Sequence, residues 1–171
     1  MLKDHQDAFG HGIYDAFHGE DVEEVIERED GYVDVSEGPS SYLAKFEDWS
    51  QHQQRAIRHA WGRVLDIGCG GGRHSLYLQE KGLDVLGIDN SPMALKCCKE
   101  RGLNKSRLMD ITQVSKKLGT FDTIIMMGNN FGLFANPKRA KWLLKRFHCM
   151  TSSEGLLIAE TMDIYQTDAP Y

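Results

Sequence analysis

The run Val64-Leu65-Asp66-Ile67-Gly68-Cys69-Gly70-Gly71-Gly72-Arg73-His74 joins an apolar strand to a glycine turn that opens a helix. Such a turn brings backbone close to a ligand with no Cβ in the way, and a helix N-terminus presents N–H groups there. Asp89 closes a second apolar run, Leu83-Asp84-Val85-Leu86-Gly87-Ile88. A carboxylate at the tip of a second strand, about twenty residues after the turn, is placed to accept hydrogen bonds from ribose hydroxyls. Together these residues point to a nucleoside cofactor.

The dinucleotide fingerprint needs a third glycine where this chain has Arg73, and it has no acid inside the first strand, where Asp66 sits. A carboxylate there repels a pyrophosphate and suits a ligand that carries ammonium and sulfonium charges. On these residues the chain resembles the class I S-adenosylmethionine-dependent methyltransferases, whose first motif reads much like Leu65-Asp66-Ile67-Gly68-Cys69-Gly70-Gly71-Gly72. The resemblance recurs in order downstream. Asp89 ends strand two, Met109-Asp110 follows strand three and Phe121-Asp122 opens strand four, over roughly residues 62 to 161.

The resemblance implies S-adenosylmethionine as cofactor, S-adenosylhomocysteine as product, and a site made of Asp66, Gly68, Cys69, Gly70, Arg73, Asp89, Asn90, Asp110, Ile111, Gly128 and Asn129. Gly68, Gly70 and Gly72 form the turn around the amino-acid end of the cofactor. Asp66 either reaches the ammonium or caps the turn's own N–H groups. Asp89 takes both ribose hydroxyls, with Asn90 beside the adenine. Asp110 accepts from the adenine amino group, with the Ile111 N–H on a ring nitrogen, or else Asp110 caps a following turn. Arg73 meets the cofactor's carboxylate or lies on the surface, and a surface place is the expectation for His74.

The methyl acceptor belongs after strand four, at Met127-Gly128-Asn129-Asn130-Phe131-Gly132-Leu133-Phe134. Relatives that methylate nucleobase or glutamine amide nitrogens carry two prolines there, which this chain lacks. Gly-Asn-Asn-Phe is closer to the type found in some small-molecule N-methyltransferases. Gly128 and Asn129 are expected to contact the methionine part of the cofactor, with Phe131 and Phe134 as walls or as core. No general base is identified; His18 and Tyr14 rest on the resemblance alone. The histidines form no set with metal-ligand spacing, so no metal is expected.

The elements that must position these groups follow β-α-β order. Strands are expected at Arg63–Ile67, Asp84–Ile88, Arg107–Met109, Phe121–Met127 and Leu156–Glu160, apolar runs suited to parallel strands covered on both faces. Ser91-Pro92 and Asn136-Pro137 start helices, and Gly102 stops the first. Leu143, Leu144, Phe147 and Met150 form a stripe at helical spacing. The fold expected is an α/β, doubly wound, mostly parallel Rossmann-like sheet of about five strands with an N-terminal helical extension.

Residues 1–61 are read as that extension and 62–171 as the cofactor-binding domain. Phe9, Ile13, Ala16 and Phe17 suggest a helix weakened by Gly10 and Gly12, Tyr32–Val35 a strand or loop, and Ser50 the start of a helix to Trp61. In the family such N-terminal helices lie over the cleft as a lid. The family's domain continues past strand five with two more strands, whereas this sequence stops at Tyr171. Strand five is then expected as an open edge that pairs two copies into a homodimer.

A net charge of −5, from 20 basic and 25 acidic residues, argues against a dedicated nucleic-acid binder. No run is long enough to cross a bilayer, and four cysteines without metal spacing read as reduced thiols of a cytoplasmic protein. The acidic run Glu20–Asp30 and the basic Lys138–Lys141 read as solvated helix faces. The expected chemistry is in-line methyl transfer to N, O or S of a small acceptor. A non-catalytic binding module and a nicotinamide-dependent oxidoreductase are the alternatives.

Overall fold

Five parallel strands, in the order β5-β4-β3-β6-β7, build the sheet that carries the cleft. The computed structural model describes residues 2–36 and 38–162. Its strands are β3 (Arg63–Ile67), β4 (Asp84–Asp89), β5 (Ser106–Leu108), β6 (Phe121–Met126) and β7 (Thr151–Ala159), and an antiparallel hairpin of β1 (Glu24–Glu27) and β2 (Val33–Ser36) precedes them. Helices α1 (Ala8–Phe17), α2 (Gln51–Ile57), α3 (Arg73–Glu80), α4 (Pro92–Glu100) and α5 (Pro137–His148) complete it. The strand order reverses between β3 and β6, and the crevice outside their carboxyl ends is where such sheets bind ligands.

Both faces of the sheet are covered, as its apolar strands require. On one face Leu65, Ile67 and Ile124 pack with Leu143 and Phe147 of α5; on the other Val64 and Ile125 pack with Ile57 of α2 and Leu78 of α3. Each such side chain contributes roughly 1.5–3 kcal/mol by leaving water. The turns sit where the sequence puts them: the Ser91 hydroxyl accepts from the Ala94 N–H, and the Asn136 side chain from the Arg139 N–H.

Several expectations change. The acidic run read as a helix face holds β1, because Val25 and Ile26 are β-branched and pair with Val35 and Asp34 of β2. Helix α2 ends at Ile57, short of Trp61, and the Ser50 side chain makes no cap bond to it. Leu144 leaves the buried stripe and is 45% exposed, since the contact face of α5 centres on Leu143 and Phe147. Strand β7 starts at Thr151, five residues earlier than expected.

The N-terminal segment folds onto the sheet's helices. Asp7 is fully buried and accepts from the Gly10 N–H of α1, the Ser91 hydroxyl and the Met93 N–H. One carboxylate therefore caps α1 and ties it to the start of α4. Gly10 permits this approach, because a Cβ there would stand 2.1 Å from the Ser91 Oγ.

Candidate cofactor and acceptor cleft

At the carboxyl ends of β3, β4 and β6 lies a cleft of about 370 Å³. Its wall includes Gly68, Cys69, Gly70, Arg73, Asp89, Asn90, Asp110, Ile111, Gly128 and Asn129, ten of the eleven residues expected from sequence. Asp66 is absent from that wall. It is 1% exposed, behind the turn, where it accepts from the Ser75 hydroxyl at 2.7 Å and so pins the first turn of α3 to β3. Burial raises its carboxyl to about 7, against the pull of the Ser75 hydrogen bond.

The three glycines of the turn do different work. Gly68, Gly70 and Gly72 all have positive φ. A Cβ on Gly68 would strike the Asn130 amide at 2.5 Å and one on Gly72 the Cys98 sulfur at 2.9 Å, so these two serve packing inside the protein. Of the three, Gly70 alone has room beside it, with Ile13 in ordinary contact at 3.9 Å. The turn's first amides are committed: Gly68 and Cys69 N–H donate to the Ile88 carbonyl, and Gly70 N–H to the Asp89 carboxylate. None of these three is left for a pyrophosphate.

Asp89 is 8% exposed and accepts from Gly70 N–H at 2.8 Å and Ser91 N–H at 2.9 Å, one bond on each oxygen. A carboxylate has about four acceptor sites, so capacity remains for two hydroxyls. Burial raises its pKa, while those amides lower it. Asp110 fulfils the capping alternative: its Oδ1 accepts from the Thr112 N–H and hydroxyl, which hold its carboxyl below the ordinary value. It lines the cleft as well.

Arg73 donates to the Ser41 carbonyl at 3.0 Å and lines the cleft, with burial lowering its pKa. His74 is corrected from the surface to the interior. It is 5% exposed, packed edge-on against Trp49 at 4.6 Å, and burial drives its pKa down to about 3. Asn129 takes a left-handed φ of 67° and its side chain accepts from the Met162 N–H. Of the two expected aromatic walls, Phe134 is core and packs near Phe147, and Phe131 is exposed; neither lines the cleft. Phe9 and Tyr42, in edge contact at 4.8 Å, line it instead. His18 and Tyr14 lie outside it, joined to Glu100 on the surface.

Two residues that matter were not singled out from sequence. The Asn130 amide donates to the Ile67 and Gly68 carbonyls, tying the loop after β6 to the glycine turn. Glu160, just past β7, accepts from the Gly128 N–H at 2.6 Å, from Gln53 at 2.8 and 2.9 Å, and from His52 at 2.8 Å. Its place at the carboxyl end of a strand beside the switch point was the available signal. Among the described residues no group of three His, Cys, Asp or Glu side chains could hold a metal ion, and no helix is long and apolar enough to cross a membrane.

An open parallel sheet with a glycine turn after its first strand and acids ending the next two defines a nucleoside-binding α/β domain. Residues 64–155 match the model of the methyltransferase domain family, and the chain belongs to it, among the class I S-adenosylmethionine-dependent methyltransferases. The chain is 33% identical to a glycine/sarcosine N-methyltransferase of Halorhodospira halochloris over 57% of its own length and 39% of the relative's. It is 29% identical to human glycine N-methyltransferase over 70% of its length and 46% of that enzyme's. It thus spans less than half of these curated relatives. A S-adenosylmethionine-dependent methyltransferase of Bacteroides fragilis, solved with S-adenosyl-L-homocysteine, superimposes with a TM-score of 0.82. That match covers 91% of this chain and 65% of the other at 24% identity, which shows the shared fold.

Proposed function

We propose that this chain forms the S-adenosylmethionine site of a methyltransferase acting on a small-molecule acceptor, and that the acceptor atom is nitrogen. The observation that carries the reading is Asp89, a nearly buried carboxylate with unused acceptor capacity in a cleft whose first three glycine-turn amides are already satisfied. Such a wall suits ribose hydroxyls and a cationic ligand, and it offers little to a pyrophosphate. The glycine and sarcosine N-methyltransferase relatives favour nitrogen over oxygen and sulfur.

The bound cofactor supplies a methyl group on a sulfonium, whose carbon–sulfur bonding pair passes to sulfur as the acceptor's lone pair takes the carbon. The protein's part is placement and exclusion of water. Asp89 holds the ribose, with Asn90 beside it. Asp110 keeps one oxygen on the Thr112 turn and turns the other to the adenine amino group, with Ile111 N–H on the ring. Gly70 gives the amino-acid end room, and Cys69, Gly68, Gly128 and Asn129 frame it. Arg73 pairs with the cofactor's carboxylate. Asp66 acts at one remove, by holding α3 through Ser75. Residues 1–61 act as a lid, since Phe9 and Tyr42 close one side of the cleft. A cytoplasmic location fits the free thiols, three of them buried. A homodimer through β7 finds no support in the comparisons.

Calorimetric titration of the chain with S-adenosylhomocysteine, with NADH as control and Asp89→Ala as site variant, tests the reading. Micromolar binding that NADH does not share and that falls at least tenfold in the variant is expected. Binding of NADH alone overturns it.

A further inference from the structure

Arg139 stands in the first turn of α5, in the basic run that composition assigns to a solvated face. Its side chain goes elsewhere. It lines the cleft with Met109, Asp110, Ile111 and Leu133, and its Nε is shut off from solvent without a hydrogen-bond partner among the described residues. Its charge also helps to hold the Asp110 carboxyl below the ordinary value, after the Thr112 hydrogen bonds. A buried Nε without a partner, on a half-buried guanidinium beside Asp110, lacks a complement within the protein. A guanidinium is planar and weakly hydrated, and it stacks on aromatic faces. The end of the cleft it faces is the end that Asp110 and Ile111 mark for the base.

We propose that Arg139 is the purine clamp of this site, its guanidinium plane closing on the face of adenine while Asp110 reads the exocyclic amino group. The proposal rests on the S-adenosylmethionine reading and deepens it. Affinity for the adenine half of the cofactor is then set by a residue on α5, an element outside the glycine turn and its acids. Arg73 and Arg139 divide the ligand between them, one cation on the carboxylate and the other on the ring.

Dividing the ligand tests this. S-adenosylhomocysteine is titrated by calorimetry and adenosine by ligand-observed NMR into the whole chain and into Arg139→Ala, Arg139→Lys and Arg73→Ala. Arg139→Ala is expected to weaken both ligands by the same factor, about tenfold for a desolvated cation–π contact. Arg139→Lys recovers only part of the loss, because an ammonium has no plane to stack. Arg73→Ala weakens S-adenosylhomocysteine and leaves adenosine unchanged. Melting temperatures without ligand are expected to stay level, since the side chain has no partner to lose at Nε. If the wild type binds S-adenosylhomocysteine and Arg139→Ala changes neither affinity by more than twofold, the clamp is overturned and the function stands. A loss confined to S-adenosylhomocysteine also overturns it, by moving Arg139 to the other end. A wild type that binds neither ligand overturns both readings.

Discussion

Asp66 and His74 lie on either side of the glycine turn, and burial pushes their pKa values in opposite directions, to about 7 and about 3. For Asp66 the folded value stands above the unfolded 3.8, so the folded state holds the proton more tightly. Its contribution to stability is present at low pH and is lost as pH rises from about 4 to about 7. For His74 the folded value stands below the unfolded 6.5, so its contribution is present above that value and is lost as pH falls toward 3. Asp66→Asn keeps an acceptor for Ser75 and removes the ionisation. Thermal melts from pH 4 to pH 8 are expected to show this variant gaining on wild type up to neutrality, by up to about 4 kcal/mol at one pKa unit per 1.4 kcal/mol. His74→Gln is expected to gain on wild type in the opposite direction, below pH 6. At this scale the sequence was informative where chemistry depends on neighbours along the chain. Asp89 follows from its strand and Gly70 from its turn. His74 was illegible because what buries it is Trp49, which reaches it across the fold.

Elements read well from the sequence where a helix has its own stop and start signals, and poorly where a partner strand decides. The apolar β3 and β4 runs and the Ser-Pro and Asn-Pro starts of α4 and α5 are local signals, and the structure matches them closely. The hairpin β1–β2 is held by pairing across a turn, so an acidic composition masked it. The join between α1 and α4 was equally hidden, for it depends on Asp7 meeting Ser91 and Met93 across more than eighty residues. Asp7→Ala removes three hydrogen bonds to one buried carboxylate and is expected to cost about 2–4 kcal/mol. Chemical denaturation measures the cost, and limited proteolysis is expected to release residues 2–18 first, before α2 is cut.

At the scale of the molecule, the N-terminal segment and the sheet share one wall of the cleft. Leu2 N–H donates to the Asn90 carbonyl, Arg101 donates to the Leu43 and Gly71 carbonyls, and Phe9 and Tyr42 face the ligand space. On the proposed function, ligand binding quiets the N-terminal segment as well as the turn. Hydrogen exchange with saturating S-adenosylhomocysteine is expected to slow amides of residues 2–18 together with those of residues 68–76. Slowing confined to the turn would remove the lid from the function.

Glu160 carries one more consequence. Its carboxylate fastens the Gly128 amide to Gln53 and His52, so the loop after β6 is finished only by a residue more than thirty positions downstream. Synthesis runs from the N-terminus, and a growing chain can lay down the central strands β3 and β4 and the whole glycine turn while this loop still lacks its anchor. The growing chain can thus collapse around β3 and β4 before the loop after β6 is fastened. The Gly128 end of the cleft is therefore the part completed last, when β7 docks beside β6.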